Sequence, residues 1–147
     1  FLGDHDDADR RLQSMIDRGF ATPETYNNLA WTRLFRGLSS DREIELARQA
    51  VDMMGGGSAA SMHTLASHLV ERRQLGEAMD LIVRRQQQVD AMEPDDWYVV
   101  GRALEWLGLQ ADAREAYDLA LDAEDRPDST RVLAERRLEK MLDSVSD

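Results

Sequence analysis

Cysteine is absent from this chain of 147 residues. A disulfide framework, a thiolate metal site and a cysteine nucleophile are therefore excluded. The compartment stays open, because a cysteine-free domain suits cytoplasm and periplasm alike. Lys140 is the only lysine, and arginine supplies every other basic side chain. Basic residues are outnumbered 29 to 18 by acidic ones, for a formal net charge of −11. Nucleic acid and anionic membrane surfaces are poor partners for such a surface, since both bind by neutralising phosphate charge. No apolar run approaches the ~20 residues of a membrane helix, so membrane insertion is not expected. No basic stretch followed by an apolar one marks a signal peptide. The chain opens on Phe1 rather than Met, which suggests a fragment of something longer.

What is present is a folded balance: 42% hydrophobic and 32% charged residues, too apolar for disorder. The apolar residues carry helical spacing. Trp97, Val100, Gly101 and Leu104 recur at i, i+3, i+4 and i+7, one face of a helix. Gly108 interrupts, and Ala113, Ala116, Tyr117 and Ala120 rebuild an apolar face on a second helix. Gly101, Ala113 and Ala120 are small enough for two helices to approach closely. Trp97, Leu104 and Tyr117 fill the remaining space.

The pattern repeats. Ala59 lies 35 residues before Pro94 and opens an equivalent unit, with Met62, Leu65, Ala66 and Leu69 on its first helix. Ala78 and Ile82 lie on its second. Arg85 falls where a small residue is wanted, its stem over the interface and its head toward water. Pro23 lies another 36 residues back and opens a third unit, with Thr22 as N-cap. Tyr26, Leu29 and Ala30 follow the template there, and Arg33 replaces an aromatic and weakens it. Ser40-Asp41-Arg42-Glu43 is a capping box for the second helix of that unit. Gly55-Gly56-Gly57 ends that helix. Before it, Gly3 to Ala8 read as a turn into a lone second helix carrying Leu12, Met15 and Ile16. At the far end, Asp128 or Ser129 caps a last helix running to about Leu142.

This segment resembles the tetratricopeptide repeat, whose pattern is Trp, Leu-Gly and Tyr on the first helix and Ala, Phe or Tyr, and Ala on the second. Trp97, Gly101, Ala113, Tyr117 and Ala120 match it by type and spacing, and Val100 and Leu104 stand in conservatively. The resemblance implies an all-α fold: a right-handed superhelical solenoid of antiparallel helix pairs, about eight helices in all. One domain is expected across 1–147. It divides into a half repeat at 1–22, repeats at 23–58, 59–93 and 94–127, and a capping helix with tail at 128–147. No linker long enough to separate two domains is visible.

Few groupings suggest chemistry. His63 and His68 are five apart, about 140° around a helix, and cannot share one metal without outside ligands. His63 is expected on the inner surface and His68 between helices. His5 sits among Asp4, Asp6, Asp7 and Asp9, a helix N-terminus where the dipole favours acid. The same argument covers Asp95 and Asp96. No Gly-x-Ser-x-Gly elbow and no phosphate loop occurs. No metal, no cofactor and no catalytic residue is expected, and the chain is read as a non-enzyme.

In the tetratricopeptide family the first helices line a concave face where partners bind. The resemblance therefore implies a binding surface of Asn27, Asn28, Trp31, His63, Ser67, Tyr98, Arg102 and Trp106. Asn and Arg can hydrogen-bond a peptide, and Trp and Tyr dominate measured interfaces. Trp31, Phe35 and Trp106 serve equally well as packing between helices. The expected role is a protein-interaction module for a peptide or partner protein with basic or apolar side chains, given the acidic surface. The alternative is a C-terminal scaffold packed on other domains of the same polypeptide. The register is testable: Ala113→Asp places a charge between two helices and should unfold the last repeat, read as a lost or strongly lowered melting transition. Melting like the parent chain would refute the register.

Overall fold

A computed structural model describes residues 2–144. Phe1 and 145–147, which include the expected tail, lie outside the described residues. The described chain is helical throughout, with no strand: α1 (Leu2–Asp17), α2 (Pro23–Phe35), α3 (Asp41–Met53), α4 (Ala59–Glu71), α5 (Leu75–Val89), α6 (Pro94–Trp106), α7 (Gln110–Ala120) and α8 (Thr130–Asp143). Pro23, Ala59 and Pro94, the three expected openings, each begin a helix.

Local chemistry sets these boundaries. The Thr25 backbone N–H donates to Thr22 Oγ1 at 3.3 Å, and the Thr22 N–H donates to Thr25 Oγ1 at 3.1 Å. Ser58 and Ser61 make the same reciprocal pair at the start of α4. At α3 the Ser40 N–H donates to Glu43 Oε2 at 3.0 Å. Each pair satisfies N–H groups that the first helical turn leaves without carbonyl partners. The first helices of two units end alike. Gly37 and Gly108 take φ of 72° and 80°, a left-handed conformation that glycine adopts without steric cost.

Contacts cluster into two compact units, one to Gln88 and one from Val89, where a single domain is expected from sequence. In the first unit α2 packs on α1, α3 and α4, and α3 also packs on α4. Leu29, Ala30, Ala47, Ala50, Ala66, Leu69 and Ala78 are completely buried. In the second unit α6 packs on α7, and α8 packs on both. Ala113, Tyr117 and Ala120 are completely buried there, as the register requires. A Cβ on Gly101 would stand 2.7 Å from the Tyr117 ring, so only glycine admits that ring at this crossing.

Two expectations change. Gly3 to Ala8 are not a turn but the first half of α1, where Asp4 meets the positive end of the helix dipole. Arg85 does not reach water: it is 4% exposed, and its Nε donates to the Ala59 carbonyl at 2.9 Å. Arg33, in the position of an aromatic, is the centre of a buried ion cluster. Its Nε donates to Asp9 Oδ2 at 2.9 Å and its Nη2 to Asp9 Oδ1 at 3.3 Å. Its Nη1 donates to Glu43 Oε1 at 3.2 Å and its Nη2 to Gln13 Oε1 at 3.0 Å. Arg36 adds a bond to Asp9 at 2.8 Å and an ion pair to Asp6 at 2.9 Å. One guanidinium thus joins α1, α2 and α3. Burial works against the Asp9 charge, but Arg33 and Arg36 hold its carboxyl below the usual range. Glu43 is also held low: burial opposes it, and Ser40 and Arg33 prevail.

His68 is completely buried between helices, as expected. Its Nε2 lies 2.8 Å from the Ala30 carbonyl, which can only accept, so this nitrogen carries the proton. Nδ1 then accepts from Ser39 Oγ at 2.7 Å. Burial pushes the imidazole below its ordinary value, keeping it neutral.

Breaking a buried pair from one side strands the other charge, at about 3–5 kcal/mol. Arg33→Ala should therefore lower the unfolding free energy from urea titration by an amount in that range at neutral pH. Combining it with Asp9→Asn should recover part of the loss. A shift no larger than that of an exposed ion pair, below about 1 kcal/mol, would place little energy in the cluster.

Candidate functional site

The first unit presents a run of four rings across three helices. His5 of α1 stacks on Phe35 of α2 with centroids 5.6 Å apart. Phe35 meets Trp31 edge-on at 5.2 Å, and Trp31 tilts against His63 of α4 at 5.4 Å. Positions 31 and 35 fall one above the other on α2 because four residues make about one turn. Phe35 and His63 are buried, and Trp31 is half-buried. The indole therefore packs between helices and also keeps accessible surface.

One turn before Trp31 lies Asn27, and beside it Asn28. Asn28 is exposed and Asn27 half-buried. The Oδ1 of Asn27 is buried without a hydrogen-bond partner. An acceptor withdrawn from water and unpaired costs about 1–3 kcal/mol. Asn27, Asn28 and Trp31 thus share one face of α2, a patch of two amides and an aromatic surface.

The other residues expected on the binding surface sit differently. Ser67 is completely buried, its Oγ donating to the His63 carbonyl at 2.9 Å. His63 is 5% exposed and supports Trp31 from beneath.

In the second unit Tyr98 and Arg102 are buried, and Trp106 is half-buried. Tyr98 turns to the Tyr117 ring at 6.1 Å. Arg102 lies over the Trp106 ring at 4.7 Å and donates to Glu105 Oε2 at 2.8 Å. Glu105 is the hub of this unit. It accepts from Tyr117 Oη at 2.6 Å and from Arg137 of α8 through both carboxylate oxygens. Burial opposes its charge, and Arg137, Tyr117 and Arg102 together hold its carboxyl below the usual range. The Tyr117 hydroxyl is pushed strongly upward, by burial first and then by donating to Glu105, and stays protonated. These groups are mutually satisfied; the hub joins α6, α7 and α8.

Sequence reasoning overlooked Glu105 and Arg137. A signal existed: an acidic residue in the last turn of a helix opposes the dipole and calls for a cation nearby. Among the described residues no group of three or more histidines and carboxylates is placed to hold a metal ion, and no helix is long and apolar enough to cross a membrane. No family model, no curated protein and no solved structure matches the chain.

Glu105→Gln keeps the shape and removes the charge. At neutral pH it should lower the stability of the second unit by about 1.5–3 kcal/mol, the range for hydrogen bonds to charged groups. A carboxyl held low in the fold stabilises above its unfolded value, near 4.5, and that contribution is lost as pH falls through the lower folded value. The gap between parent and variant should therefore narrow with acidification below about pH 4.5 in urea titrations. A gap independent of pH would assign the loss to packing.

Proposed function

We propose that this chain is a tetratricopeptide-type interaction module without catalytic activity, its helix pairs stacked as a right-handed superhelical solenoid. Helices opening at Pro23, Ala59 and Pro94 support the reading, as does the Gly101–Tyr117 crossing on which the resemblance rests. The functional surface is the α2 patch of Asn27, Asn28 and Trp31, backed by His63. The observation that carries it is the exposed Asn28 amide one turn from the half-buried Trp31 indole, which keeps part of its surface open. The Asn28 amide pairs with a peptide backbone, and an apolar side chain covers the indole. The net charge of −11 favours a partner with basic rather than acidic flanks.

The alternative is a scaffold seated on other domains of the same polypeptide. Leu107 and Leu109, at the turn between α6 and α7, are 63% and 47% exposed and would suit such a contact.

The deciding experiment is crosslinking capture from the source cell with three baits: the parent chain, Asn28→Ala/Trp31→Ala and Leu107→Ser/Leu109→Ser. The interaction module predicts a partner lost only with the α2 variant, and peptides from that partner binding the variant more weakly by at least about 2 kcal/mol, the measure of an interface hot spot. Equal capture by all three baits would refute the α2 surface. Loss only with the Leu107 and Leu109 variant would favour the scaffold.

A further inference from the structure

All three histidines of the chain, His5, His63 and His68, precede Gln88 and belong to the first unit. The second unit, from Val89, has none. Histidine is the side chain whose ordinary value, about 6.5, falls in the mildly acidic range. Mild acidification therefore acts on the two units differently, and at His68 it meets a structural bond.

The His68 ring is completely enclosed and bonded at both nitrogens to other elements. Nε2 donates to the Ala30 carbonyl of α2 at 2.8 Å, and Nδ1 accepts from Ser39 of the α2–α3 turn at 2.7 Å. The ring thus bridges α4 to α2 and to the turn that follows it, beside the direct packing of α2 on α4. Proton uptake at Nδ1 need not break a hydrogen bond. The Ser39 hydroxyl can turn to accept from Nδ1 and direct its own proton to the His68 carbonyl, 3.4 Å away. What the site lacks is solvation for the charge. The acidic groups that act on the ring are Glu43 of α3 and Glu71 of α4. Glu43 is already paired with Arg33 of α2 at 3.2 Å and accepts from the Ser40 N–H at 3.0 Å. Arg72, one turn beyond His68, is turned to Asp41 of α3 at 3.6 Å. Burial therefore outweighs the Ala30 bond and both carboxylates, and holds the imidazole below its ordinary value.

We propose that His68 is an acid-sensitive latch on the first unit: neutral, it fastens α2 and the α2–α3 turn to α4, and mild acidification releases them. The sign follows from linkage. When the unit opens, the ring meets water and takes up a proton near its ordinary value of 6.5. In the closed form it resists protonation until a lower pH. The latch is therefore fully closed above about pH 6.5 and weakens as pH falls from there toward the folded value. Between about pH 7.5 and about pH 5.5, one such proton shifts the balance toward the open form by up to about tenfold. Asp9, Glu43 and Glu105 of the ion clusters are held below the usual carboxylate range and stay charged throughout this window. The latch does not rest on the proposed binding role of the α2 patch.

Amide hydrogen exchange of the full chain at about pH 7.5 and about pH 5.5, corrected for intrinsic exchange rates, tests this. Protection in α2 and α4 should fall severalfold, toward the limit of about tenfold, while protection in α6 and α7 holds. His68→Gln keeps an amide that can donate to the Ala30 carbonyl but does not titrate, so in this variant α2 and α4 should lose the pH response. An equal loss of protection in both units would overturn the latch, as would no loss in either. A response retained by His68→Gln would also overturn it, and would point to His5 or His63. A second readout needs no substitution: in nitrogen NMR of the parent chain at about pH 6.5, the His68 ring should be neutral with its proton on Nε2. A ring half-protonated at that pH would overturn the proposal as well.

Discussion

Close approach of helices is the constraint on which both units rest. Two helices whose axes come near must carry almost no side chain at the crossing, and what they lack there is filled by a large group from nearby. Gly101 and Tyr117 show this most sharply, since one added carbon would stand 2.7 Å from the ring. Ala30, Ala47, Ala50 and Ala66 do the same work in the first unit, all completely buried. Because the crossings are set by absent atoms, the large residues have little freedom in where they go. Tyr117 is therefore fixed well enough to donate to Glu105 at 2.6 Å, and Ala30 brings its carbonyl within 2.8 Å of His68.

Each unit adds a charged hub to this apolar frame. In the first, Arg33 gathers Asp9 and Glu43; in the second, Glu105 gathers Arg102 and Arg137. Burying charge is costly, and a well-packed apolar group would often be as stable. What a hub supplies is direction. Apolar faces slide past one another at small cost, whereas a two-pronged guanidinium–carboxylate pair accepts one registry. Both hubs join three helices, α1–α2–α3 and α6–α7–α8, so each fixes how a third helix lies on a pair.

The same frame determines which side chains keep accessible surface. Ser67, Tyr98 and Arg102 are buried by the packed helices. Asn28 is exposed, and Asn27 and Trp31 keep part of their surface.

Helix number and type, and most helix limits apart from the start of α1, were legible in the sequence because they are local matters. Apolar spacing selects the helix, and Thr22, Ser40, Pro23, Pro94, Gly37 and Gly108 act on their immediate neighbours. The small residues at 101, 113 and 120 likewise announced a close crossing. Where charges went was not legible. Arg33 and Arg85 looked like defects on apolar faces, because their partners lie 24 residues away at Asp9 and 26 away at the Ala59 carbonyl. Exposure was equally out of reach. Tyr98 and Arg102 lie away from the residues that match the repeat, so periodicity placed them in the open. The tertiary structure buried them instead. Local sequence fixes which face a residue is on; only the packed neighbours decide whether that face meets water.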